Sequence, residues 1–122
     1  MSWEFSDDRP IYAQLMEQIQ LKIISGVYKT GEKLPSVRDM AAEASVNPNT
    51  MQKALSELER TGLVFSQRTS GRFISEDNNM IKNMRDDLAK DQIQKFLSNM
   101  DKIGYSRKET ISLLEDLVKE IK

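Results

Sequence analysis

The stretch SVRDMAAEASVNPNTMQK, residues 36–53, decides the reading of this chain. Ser36 is a helix-capping residue type, and Asp39 stands where an acid favours a helix N-terminus. The spacing predicts a short helix from Val37 to about Ala44, with Val37, Met40 and Ala41 on its apolar side. Ser45-Val46-Asn47 is a tight break. Asn47 can cap again, and Pro48 suits a first helical position, where the N–H it lacks has no partner anyway. A second helix is expected to run to about Thr61, with Met51, Ala54, Leu55 and Leu58 inward and Gly62 as its stop. Short helix, tight turn and a helix opening on polar residues are the parts of a helix-turn-helix. Its second helix enters the DNA major groove with its N-terminal residues nearest the bases.

Working outward, Asp8-Arg9-Pro10 is expected to open an earlier helix, with Pro10 in its first position. Apolar residues at Ile11, Leu15, Ile19 and Ile23, and at Tyr12, Met16 and Ile24, recur with helical period, and Gly26 ends the run. After Gly62 the period changes. Leu63 to Gln67 reads as a strand and Arg72 to Ser75 as its return, joined by Arg68-Thr69-Ser70-Gly71. Three short helices followed by a hairpin form a winged helix-turn-helix. Trp3 and Phe5 read as a strand-like arm packing on the core or on a second chain, with an aromatic ligand cage as the alternative.

At the start of the second helix of the motif stand Asn47, Asn49, Thr50, Gln52 and Lys53. Asn and Gln can bond adenine edges, Thr can touch the thymine methyl, and Lys53 can reach a phosphate or guanine. The same residue types also serve as plain solvated caps. Arg38, in the first turn of the preceding helix, is unfavourable for the helix dipole, and a phosphate or base would offset that placement. Ser36 can donate to a phosphate while capping. Arg68 and Arg72 flank the hairpin turn, where a cationic tip can reach the adjacent minor groove or backbone, although charged hairpin tips also occur simply as soluble surface.

Beyond a polar connector, Glu76-Asp77-Asn78-Asn79, a long helix is expected from about Met80 to Ile103, its apolar pattern slipping near Asp91-Gln92. Gly104 breaks it, and Ser106-Arg107-Lys108-Glu109 is a capping box for a last helix carrying Ile111, Leu114, Leu117, Val118 and Ile121. The fold class is therefore mainly α with a small β-hairpin. Residues 1–77 form a winged helix-turn-helix, and 78–122 a two-helix dimerisation segment. Two helices cannot enclose an ordinary ligand pocket of several hundred Å³. They can bury Ile93, Phe96, Leu97, Leu114 and Leu117 against a twofold mate, or fold them back on their own domain.

Composition narrows the function. With neither His nor Cys, the usual general base, the nucleophilic thiol and the soft metal ligands are missing. Adjacent carboxylates at Asp7-Asp8 and Asp86-Asp87 point apart and read as surface. No enzyme activity, cofactor or metal is expected. The N-terminus, Met1 to Phe5, lacks a basic start and an apolar run, so it is not read as a secretory signal. No stretch is apolar enough for a membrane, and a cytoplasmic location is expected. The charges total 18 basic and 19 acidic, for a net of −1, and the sequence pI is near 5.5. That acidic balance leaves open a winged-helix protein-interaction module without DNA. Locally the sign reverses: residues 29–72 hold seven basic and five acidic residues. The expected face of Lys33, Arg38, Lys53, Arg68 and Arg72 holds no acid.

Read together, Pro10-Ile11-Tyr12, Gln14-Leu15, Gly26, Tyr28, Gly31, Leu34-Pro35-Ser36, Arg38, Val46-Asn47-Pro48-Asn49-Thr50, Leu58-Glu59, Gly62-Leu63-Val64, Gly71 and Phe73 resemble the GntR family of bacterial regulators. The short helical tail and the Asn-Pro-Asn-Thr segment are similar to its YtrA subfamily. The resemblance implies a homodimer binding double-stranded DNA at a palindromic operator, usually as a repressor. It implies contacts at Arg38, at Asn47, Asn49, Thr50 and Lys53, and at the wing residues Ser70, Gly71 and Arg72, joined by Ser36 from the reading above. One departure bears on the wing: Thr69 replaces the first glycine of the usual Gly-x-Gly. A small-molecule effector is left unassigned.

Overall fold

The computed structural model describes residues 3–121; Met1, Ser2 and Lys122, the outer ends of the two expected domains, lie outside them. The element order is α1 (Ile11–Ile24), α2 (Val37–Ala44), α3 (Pro48–Arg60), β1 (Val64–Gln67), β2 (Gly71–Ile74), α4 (Asn78–Lys102) and α5 (Arg107–Ile121). The chain divides into two compact units, one ending at Met84 and the other beginning at Arg85.

In the first unit α3 is central and packs against α1, α2 and β1. The inward positions follow from helical period: Leu15, Ile19, Ile23 and Ile24 of α1, Met40 and Ala41 of α2, and Met51, Ala54, Leu55 and Leu58 of α3 are all buried. Leu34, Leu63, Val64 and Ile74 close the core. Pro10 takes the N-cap position of α1, one residue earlier than expected. Between α2 and α3 the backbone turns at Ser45, with φ +58° in the left-handed region.

The two strands are antiparallel, with Val64 opposite Ile74 and Gln67 opposite Gly71. Lys33 bridges to Phe73, and the Leu34 N–H donates to the Arg72 carbonyl at 2.8 Å. The segment before α2 thus lies along the two-stranded wing, held by an isolated bridge. The turn closes through the Ser70 N–H donating to the Gln67 carbonyl at 3.1 Å. Thr69 needs no left-handed backbone, because Gly71 alone carries the positive φ, +107°. The wing therefore forms without the first glycine.

The N-terminal arm is irregular and not a strand. Side chains of α1 satisfy its backbone: Gln14, buried, donates to the Ser6 and Arg9 carbonyls and accepts from the Ser6 N–H, and Gln18 accepts from the Glu4 N–H. Trp3 donates its indole N–H to Glu43 at 2.9 Å, and the Lys22 ammonium sits 3.7 Å from the Trp3 ring centroid. This is packing on the chain's own core, and the Trp3 ring faces a lysine of the protein itself. Burial pushes the Lys22 ammonium below its ordinary pKa, against the opposing pull of Glu43.

Helix α4 begins two residues before the expected start, because Asp77 caps it: its carboxylate accepts from the Met80 N–H at 3.0 Å. Ile81 is buried and Met84 half-buried. The opening turns of α4 thus belong to the first unit, and the boundary falls inside the helix instead of at its start. The helix runs unbroken through Asp91-Gln92. In the second unit Ser106 and Glu109 form the expected capping box, with reciprocal bonds of 3.0 and 3.1 Å. Those bonds hold the Glu109 carboxyl below its usual range. Thr110 is the sole buried residue of this unit among those described. Leu88, Leu97 and Met100 are half-buried, while Ile111, Leu114, Leu117, Val118 and Ile121 are between 44 and 84% exposed.

Candidate nucleic-acid interface

Caps set the geometry of the helix-turn-helix. Ser36 Oγ accepts from the Asp39 N–H at 3.1 Å, which leaves its own O–H free to donate outward. Asn47 Oδ1 accepts from the Asn49 N–H at 2.7 Å, which leaves the amide NH₂ free. Asn49, Gln52 and Lys53 are exposed and Thr50 half-exposed on the first turns of α3, opposite buried Met51 and Leu55. Arg38 is exposed in the first turn of α2. Arg38, Lys33 and Arg68 have no carboxylate partner among the described residues.

A groove of about 780 Å³ separates the start of α2 from the wing, and Lys33, Ser36, Arg68, Ser70, Gly71 and Arg72 are among its lining. It brings together the cap of α2 and the wing residues singled out in the sequence. Two features favour glycine at position 71. Its φ disfavours side chains, and a Cβ there would stand 3.1 Å from Lys33 Cε, so the lysine stem crosses the wing at this point.

The expectation of an acid-free face needs one correction. Arg72 donates from Nε to Glu59 of α3 at 2.5 Å, and Ser66 of β1 donates to the same carboxylate oxygen. Arg72 is only 18% exposed. Its charge is therefore offset within the protein, and the residue joins the wing to α3. Burial raises the Glu59 pKa, but Ser66 and Arg72 outweigh it and hold the carboxyl below its ordinary 4.5. Sequence spacing does not show this pairing, because Glu59 and Arg72 stand thirteen residues apart on different elements. A second contact also joins distant elements: the Lys53 ammonium lies 3.9 Å from the ring centroid of Tyr12 on α1.

Among the described residues no group of three or more His, Cys, Asp or Glu side chains converges as a metal site, and no helix is long and apolar enough to cross a membrane.

Comparison with known proteins agrees with this architecture. Residues 11–74 match the family described as bacterial regulatory proteins, gntR family. An uncharacterized HTH-type transcriptional regulator of Bacillus subtilis, YhcF, is 36% identical over 111 residues, 91% of this chain and 92% of that protein. The HTH-type transcriptional repressor YtrA of the same organism is 46% identical over 68 residues, 56% of this chain and 52% of YtrA. Among solved structures, a GntR family transcriptional regulator from Listeria monocytogenes superposes with a TM-score of 0.85 at 37% identity, covering 92% of this chain and 98% of that one. The DNA-binding domain of AraR, crystallised in complex with operator ORX1, superposes with a TM-score of 0.56 at 27% identity over 62% of this chain and 99% of that one. With the family matched over more than half of its residues and a relative matched along nine-tenths of both lengths, this protein belongs to the gntR family of bacterial regulatory proteins, as a winged-helix transcription regulator with YtrA-like relatives.

Proposed function

We propose that the chain binds a palindromic operator in double-stranded DNA as a homodimer, represses transcription there, and works in the cytoplasm. The observation that carries DNA binding is the surface formed by the helix-turn-helix and wing. Uncharged hydrogen-bonding groups at Asn47, Asn49 and Thr50 stand at the start of α3. Cations without carboxylate partners among the described residues stand at Lys33, Arg38 and Arg68. The amides and the Thr50 hydroxyl suit base edges, whereas the cations and the Ser36 hydroxyl suit phosphates. Arg72 contributes by fixing the wing through Glu59, and Ser70 and Gly71 offer backbone at its tip. The operator-bound AraR domain supports the same use of the scaffold. Repression is the activity carried in the name of YtrA.

The second unit supports the dimer. A single chain leaves the large apolar side chains Ile93, Phe96, Leu114 and Leu117 at least 40% exposed, which favours a partner surface that covers them. A second copy covers them by the twofold rule that the same patch meets itself.

Selection of bound sequences from random duplex DNA tests the whole reading. The expected product is an inverted repeat with half-sites about one helical turn apart, and its affinity should fall steeply with salt as counterions are displaced. Recovery of no enriched sequence, or a flat salt response, refutes it and leaves a protein-interaction module.

A further inference from the structure

We propose that Tyr12 is a positioning residue for DNA contact: its ring, on α1, holds the Lys53 ammonium of α3 ready for the nucleic acid. The inference rests on the DNA-binding reading above.

Lys53 is exposed, and it has no carboxylate partner among the described residues. What it has is the face of an aromatic ring, with Nζ 3.9 Å from the centroid of Tyr12. The ring does not swing freely, because Tyr12 is half-buried on a helix that packs against α3. A ring face attracts an ammonium through its quadrupole and carries no net charge. The contrast with Arg72 is instructive. Glu59 orients Arg72 and also cancels its charge, whereas Tyr12 orients Lys53 and leaves the full positive charge facing outward. Lysine has three donors, and the ring engages one side of the group. A free lysine on a recognition helix must give up many rotamers when it meets DNA. One already held by a ring gives up fewer, so binding is tighter with no added contact. Tyr12 otherwise reads as one more member of the apolar stripe of α1, which accounts for its half-burial but not for a cation on its face.

The test is a double-substitution cycle. Its probe is the duplex that the wild-type chain selects from random DNA. Tyr12→Leu removes the ring and should weaken binding by about three- to ten-fold, the range expected for freeing one long side chain. In a Lys53→Ala background the same change should weaken binding by less than about two-fold. Tyr12→Phe keeps the ring and should restore binding to within about two-fold of wild type. A purely structural role for Tyr12 would weaken binding equally in both backgrounds, and that result overturns the proposal, as does unchanged or tighter binding by Tyr12→Leu alone. Tyr12→Met gives the same comparison if the leucine variant does not fold. A wild-type chain that selects no duplex overturns the DNA-binding reading itself. A wild type that binds while the two substitutions act independently overturns only the role of Tyr12.

Discussion

Replacing Glu59 with alanine removes the carboxylate that, among the described residues, ties the wing to α3. In the native protein that carboxylate accepts from Arg72 Nε at 2.5 Å and from the Ser66 hydroxyl. The Glu59 and Arg72 side chains are 29% and 18% exposed, so neither is fully screened by water. A hydrogen bond to a charged partner contributes about 1.5–3 kcal/mol and a further bond about 1 kcal/mol. The substitution also leaves a half-buried guanidinium without a counter-charge. Water can reach the site from one side, which trims the sum to about 2–3 kcal/mol. Urea denaturation at fixed protein concentration should then move its midpoint down by about 1–2 M with an unchanged slope. Glu59→Gln retains an acceptor and should lose less. The pH dependence has a defined sign. Glu59 titrates below its ordinary 4.5 in the folded state. Its contribution is therefore complete above about pH 4.5 and is lost as pH falls through the folded-state value. The glutamine variant should show a flatter acid limb than wild type. A loss under about 0.5 kcal/mol for Glu59→Ala, outside the range for a charged bond, would refute the idea that this pairing holds the wing.

Three further predictions concern other parts of the molecule. Arg38→Ala should cost roughly 1–3 kcal/mol in operator binding with the oligomeric state unchanged in sedimentation. Leu114→Glu, at a side chain 47% exposed in the single chain, should convert a dimer to a monomer in sedimentation equilibrium, because a charge buried without a partner is strongly disfavoured. An unchanged mass would place the interface elsewhere. Ser45→Gly should raise stability by up to about 1 kcal/mol in the same urea assay, since Ser45 holds φ +58° and glycine adopts that conformation without steric cost.

What was legible in the sequence was local. Ser36, Asn47 and the Ser106–Glu109 box each announce a helix start within three residues, and the structure forms all three. The inward side of α3 followed from its period alone. Contacts between distant segments were not legible. Glu59 meets Arg72 only after the hairpin folds back, and Trp3 meets Glu43 only after α1 and α2 are placed. Neither periodicity nor residue type encodes such pairings. The start of α4 lies two residues before the expected one for a different reason. Asn78 and Asn79 are poor helix formers, but the Asp77 cap and the burial of Ile81 outweigh that preference. At the interface, residue types at the start of α3 pointed to DNA, while the pairing of Arg72 with Glu59 and of Lys53 with Tyr12 required three dimensions.

The second unit buries no apolar side chain among its described residues. Helices of 25 and 15 residues owe most of their stability to a packed face, and in the proposed homodimer that face comes from the second copy. In the proposed dimer, completing the fold of the tail is thus a second-order event, governed by how many copies the cell holds. Two chains seated on adjacent half-sites meet at an effective concentration of order mM, so the operator itself would drive the tails together. Occupancy should then rise more steeply than in proportion to protein level, which would make DNA binding by the proposed dimer sensitive to dosage.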